Sequence, residues 1–129
     1  MRHTAKLAAI VMALTLSACT TAPIMQVKDS PVATASGNAP AKEQVRSAIV
    51  RAGAGLGWQM RDEGTDMLVG TIMLRTHVAV VEIPYSPKAY SIRLRSSMNL
   101  DEKDGTIHKN YNGWVQNLTR AINAQLSQS

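Results

Sequence analysis

The chain has 129 residues, 45% of them apolar and 4% aromatic with no phenylalanine, which is enough for one hydrophobic core and too few for two. Its formal charge of +5 drops by two if the N-terminal Arg2 and Lys6 are removed, an excess too mild for a nucleic-acid surface, so nucleic acid is not expected as a partner. A single cysteine excludes an internal disulfide.

In chain order, the first element is a leader. Met1 to Lys6 is cationic and Leu7 to Leu16 is an apolar run of ten residues, too short to span a hydrocarbon core as a helix. The run ends in Leu16-Ser17-Ala18-Cys19, which resembles the lipobox of bacterial lipoproteins at all four positions. The resemblance implies that residues 1–18 are a signal peptide and that the Cys19 thiol receives a diacylglycerol. It also implies that the freed amine takes a further acyl chain such as palmitate. Small side chains at Ser17 and Ala18 suit a narrow protease site, and only a thiol offers the nucleophile for a thioether. Acyl chains at roughly 0.8 kcal/mol per buried CH₂ make such an attachment effectively permanent. Thr20 stands where the enterobacterial sorting rule places Asp for retention, which implies the outer membrane, facing the periplasm. Residues 19–40 are rich in Ala, Thr, Ser and Pro, with Pro23, Pro31 and Pro40 and no apolar period, and are expected to form a flexible lipidated tether.

Residues 41–129 carry the folding pattern. Val45, Ala48, Ile49, Ala52 and Leu56 recur at helical spacing and predict an amphipathic helix of about three turns, dissolved by Gly53, Gly55 and Gly57. From Trp58 to Met98 the period changes to two, with turn residues at 63–66, 75–76 and 86–88, which predicts four antiparallel strands. The third, His77 to Ile83, is apolar on both faces, as a central strand should be, and Pro84 must end its ladder. After a polar turn at 101–105, Tyr111, Trp114, Val115, Leu118, Ile122 and Leu126 trace one stripe of a second helix. The fold class is therefore α+β: a helix, a four-stranded antiparallel sheet and a C-terminal helix, with both helices on one sheet face.

The run Ile107 to Leu118, with Asn110, Tyr111, Asn112 and Trp114 at its centre, together with Ala89-Tyr90-Ser91-Ile92 and the lipobox, resembles an uncharacterised family of small proteobacterial lipoproteins over most of residues 41–126. That family has no assigned activity, so the resemblance implies anchoring and location and no reaction. The layout is also similar in architecture to small helix-and-sheet domains in lipoproteins of the outer-membrane assembly machinery, which bears on fold alone.

Chemistry-bearing residues are few. The glycines at 53, 55 and 57 follow a helix rather than a strand, so they read as a helix stop and not as a phosphate cradle. Lys103 occupies a ligand position of what would otherwise be a calcium loop at 101–105, leaving a solvated turn. His77 and His108 have no His, Cys or carboxylate at metal-ligand spacing; folding could bring them to Glu82 or Tyr111, but a hydrogen-bonded structural role is expected, and no metal or cofactor is. Asn110 and Asn112 are expected to cap the second helix and satisfy nearby backbone, with Tyr111 and Trp114 as core anchors. No serine elbow, Walker loop or Cys-His pair occurs, so the domain is not expected to be an enzyme. Strand parity places Arg61, Arg75, Arg93 and Arg95 on the sheet face away from the helices, where they could meet an anionic lipid or an acidic envelope protein. The expected function is a non-enzymatic binding or adaptor module held to the membrane by its N-terminal lipid. The alternative is a carrier of a small apolar ligand or lipid, in a pocket near Trp58, Tyr111 and Trp114.

Overall fold

The computed structural model describes residues 20–129, together with the isolated positions Ala8 and Ile10. The rest of the segment expected to be a signal peptide, and Cys19 with it, lies outside the described residues. The elements run β1 (Thr21–Pro23), β2 (Val27–Pro31), α1 (Lys42–Leu56), β3 (Trp58–Asp62), β4 (Met67–Leu74), β5 (His77–Pro84), β6 (Ala89–Met98), β7 (Thr106–His108) and α2 (Lys109–Leu126).

The class is α+β, but the main sheet has five strands rather than four, in the order β2-β6-β5-β4-β3, and β1 and β7 form a separate two-stranded ribbon. All pairings are antiparallel. The four strands expected between 58 and 98 are present, with turns between them at 63–66, 75–76 and 85–88. The additional strands lie in the stretch read as a tether and directly after the one read as a turn. Between Thr20 and Val32 the chain is laid along the domain as a strap. Lys109 N donates to Thr20 O at 3.0 Å, Ile24 N to Gly105 O at 3.0 Å and Val32 N to Lys88 O at 2.9 Å. Asn112 grips it from α2, with Met25 N donating to Oδ1 at 3.0 Å and Nδ2 donating to Pro23 O at 2.9 Å. Backbone pairing of this kind needs no side-chain period, which is why polar, proline-containing sequence could supply it.

The core lies between the helices and one sheet face. Val45, Ala48, Ile49 and Ala52 of α1 and Tyr111, Val115, Leu118, Ile122 and Leu126 of α2 join Trp58, Leu68, Ile72, Ala79, Val81, Ile83, Tyr90 and Ile92 in a single buried cluster. The helices run antiparallel to one another: Arg51 Nε donates to Gln125 Oε1 at 3.0 Å, while Leu56 at the end of α1 borders a cleft with Trp114 and Asn117 of α2. Gln44 Oε1 accepts from Ala41 N at 2.8 Å to start α1. Of the three glycines expected to dissolve the helix, Gly53 and Gly55 lie within it and Gly57 ends it, with a left-handed φ of 88° and an N–H that turns back to the last carbonyls. Gly53 is instead a contact residue. A Cβ there would lie 2.5 Å from Met60 Cε and 3.2 Å from Trp58 Cβ, so its missing side chain is what lets α1 close on β3. Leu56, assigned to the core stripe, is exposed, because the stripe has rotated off the core by the last turn.

Candidate functional site: the open sheet face and its hairpin end

The face of the sheet away from the helices is uncovered. Across it, register places Arg61 of β3 beside Val69 of β4, Val69 beside Glu82 of β5, and Glu82 beside Arg93 of β6. Val69 is wholly buried yet belongs to this outer face, so the long side chains flanking it close over it with their stems while their charged heads stay wet. The heads form one network. Arg93 Nε and NH2 donate to Glu82 Oε2 at 2.8 and 2.6 Å, and Arg95 Nε donates to Glu82 Oε1 at 3.0 Å. Arg95 also clasps Glu63 with both terminal nitrogens, at 2.7 Å each, and Arg61 NH1 lies 3.5 Å from Glu63 Oε2. A bulge makes this possible: pairing jumps from Val80 opposite Ser96 to Val81 opposite Leu94, leaving Arg95 as the extra residue, free to reach across to Glu63. The hydrogen bonds from Arg93, and then from Arg95, hold the Glu82 carboxyl below its ordinary range, and those from Arg95 do the same for Glu63.

Arg61, Arg93 and Arg95 do share the outer face, but Arg75 does not join them. It sits in the β4–β5 hairpin with a left-handed φ of 57°, at the hairpin end of the sheet. The three arginines are also not free guanidinium groups, because Glu63 and Glu82 neutralise most of their charge. Those glutamates had the right parity to be noticed, but only the cross-strand register shows that they meet.

No protein family, curated protein or solved structure matches this chain.

The hairpin end of the domain has a different character. Met73 is opposite Val78, and Val78 opposite Met98, an apolar row on the outer face. The large apolar side chains left exposed between residues 20 and 129 are Met73 (67%), Met98 (60%), Leu74 (43%) and Leu56 (38%), and all four lie at this end. Leu56 and Leu74, with Trp58, Ile72, Trp114 and Asn117, border a cleft of about 180 Å³. The indole Nε1 of Trp58 is buried without a hydrogen-bond partner. Tyr111, grouped with these tryptophans in the sequence reading, does not reach the cleft. It is a core residue whose unpartnered hydroxyl is pushed upward in pKa, first by burial and then by the charge of Glu102.

The remaining candidates resolve into structural roles. His77 Nδ1 donates to Asn99 O at 2.6 Å, and Asn99 Nδ2 donates to Thr76 O at 2.8 Å, tying β6 to the hairpin. His108 caps α2: its Nδ1 accepts from Asn110 N at 3.2 Å, so the cap is the histidine and not the asparagine expected there. Neither histidine meets Glu82, whose partners are the arginines. Asn110 thus contributes its backbone N–H, and Asn112 grips the strap. The 101–105 turn is exposed, with Asp101 and Asp104 at left-handed φ values of 52° and 51° and Glu102 accepting from Ser97 Oγ at 2.6 Å. Among the described residues, no three His, Cys, Asp or Glu side chains come together as a cation site, and no helix is long and apolar enough to cross a membrane.

Proposed function

We propose that the mature chain is a lipoprotein of the proteobacterial outer membrane, anchored through Cys19 and facing the periplasm, where it acts as a non-enzymatic adaptor whose open sheet face engages another envelope protein. The observation that supports this reading is a five-stranded sheet covered by helices on one face only, its other face carrying an ion-paired network over a buried valine. A nearly neutralised network favours a protein of mixed charge over a phosphate-rich lipid headgroup, because most of the Arg charge is already spent on Glu63 and Glu82. A photo-crosslinking residue placed at Val80 or Ser96 on the open face should yield one discrete adduct in the native envelope. The same residue at Gln116, on the outer side of α2, should yield none. Adducts from Gln116 alone, or equally from all three positions, would refute the assignment.

A second reading, a carrier for a small apolar ligand, has the Trp58–Trp114 cleft in its favour. The cleft is of benzene rather than acyl-chain size. Indole fluorescence unmoved by saturating benzene or acetophenone would remove it.

A further inference from the structure

Two features with no common cause coincide at the hairpin end. One is where the chain enters the domain. Thr21 pairs with His108 and Thr20 O accepts from Lys109 N, so residue 20 is fixed at the N-terminus of α2. Cys19 is the residue that precedes it in the chain. The other is where the exposed apolar surface lies. The end of β6 bearing Met98 leads through Asn99 to Leu100, whose carbonyl accepts from His108 N at 2.7 Å, and His108 is the residue paired with Thr21. Met73 and Leu74 precede the hairpin that Asn99 ties to β6, and Leu56 ends the antiparallel helix beside them. Apolar side chains of this size in one exposed group mark a contact surface, and here the group adjoins the attachment point of the chain.

From this we infer that the hairpin end is a bilayer-docking surface: with Cys19 acylated, the domain rests directly on the membrane, Met73, Leu74 and Met98 entering the headgroup boundary beside the acyl chains. The inference rests on the lipoprotein reading and deepens it by replacing a stalk with a fixed seat. The charges near this seat are of both signs. Arg75 in the hairpin and Lys109 beside Thr20 lie at this end, and so do Asp101, which follows Leu100, and Glu102, which accepts from Ser97 Oγ at 2.6 Å beside Met98, so apolar burial and the acyl anchor carry the docking. The sheet then stands off the membrane, so that the outer-face network, nearer the 63–66 and 85–88 turns, stays in the aqueous phase for a partner. An exposed apolar surface of this kind adds to a lipid anchor by apolar burial.

The test uses the full-length protein purified from its native envelope, with the mass of its N-terminal residue measured first. In acylated protein the Cys19 thiol is blocked, so a cysteine introduced by Met73→Cys, Met98→Cys, Thr65→Cys or Lys88→Cys takes an environment-sensitive fluorophore alone. In vesicles of phosphatidylethanolamine and phosphatidylglycerol, labels at 73 and 98 should shift to the blue. A nitroxide-bearing lipid should quench them several-fold more than those at 65 and 88. Acylated protein with all four labels equally wet overturns the seat and leaves the anchor standing. Protection at 73 and 98 that requires envelope proteins in addition to lipid gives this end to a protein partner and equally overturns it. An unmodified Cys19 removes anchor and seat together.

Discussion

The strap between Thr20 and Val32 depends on one side chain more than on any other, and replacing it measures how firmly the N-terminus is held. Asn112→Ala removes both bonds of the clamp, the acceptor for Met25 N at 3.0 Å and the donor to Pro23 O at 2.9 Å. A net contribution of about 0.5–1.5 kcal/mol per bond gives about 1–3 kcal/mol for the pair. The loss should be local at first, because the strap's other ties, backbone bonds at either end and Asp29 N to Ser91 Oγ at 3.0 Å, do not pass through Asn112 and the core cluster does not include it. Native-state hydrogen exchange reads it directly: the Met25 amide should exchange roughly ten- to hundredfold faster. The amides of β4 and β5 should barely change. Unaltered exchange at Met25 would refute the clamp, and an equal acceleration throughout the sheet would refute the strap as a separately opening unit.

Gly70→Val should destabilise by about 1–3 kcal/mol through overpacking, since even a Cβ there would stand 2.9 Å from Met60 Sδ and 3.3 Å from Trp58 Cε3. Chemical denaturation checks it, and Met60→Ala in the same chain should recover much of the loss; an additive double variant would count against the contact. The network on the open face predicts an acid-side weakness. Glu82 is held below its ordinary value of 4.5 by Arg93 and Arg95, so the stability it contributes is complete above that value and disappears as pH falls through the lower folded-state value. Glu82→Gln should flatten the acid limb of a pH–stability curve between these two points, and an unchanged limb would show that the pairing contributes nothing.

Most of the fold could be read from local pattern. Gly64 and Pro87 mark two of the turns, the period of two marks β3 to β6, and the stripe from Tyr111 to Leu126 marks α2, because each depends on neighbours in sequence. What escaped depends on partners far away. β2 is an edge strand, interrupted by a register shift between Val27 and Ser30 and by the left-handed Asp29, so no alternation survives in it. β1 and β7 have three residues each. The arginine face was half legible: parity placed Arg61, Arg93 and Arg95 correctly, but the bulge that aims Arg95 at Glu63 has no signature in composition. His108 and Asn112 carried a signal, polar residues crowding a helix start, but the choice between capping and clamping needed the strap in place.

The contacts that close the strap have a further consequence in time. Met25 and Pro23 await Asn112, 87 and 89 residues later in the chain, and Asp29 N awaits Ser91 Oγ, 62 residues later. Such long-range closures come late in folding, because the loop entropy must be met before the bonds form. A chain emerging N-terminus first therefore keeps the residues around Thr20 extended and accessible until α2 is synthesised. On the proposed lipidation of Cys19, that interval is when a modifying enzyme would meet the chain before the pairing of β1 with β7 fixes Thr20 against α2.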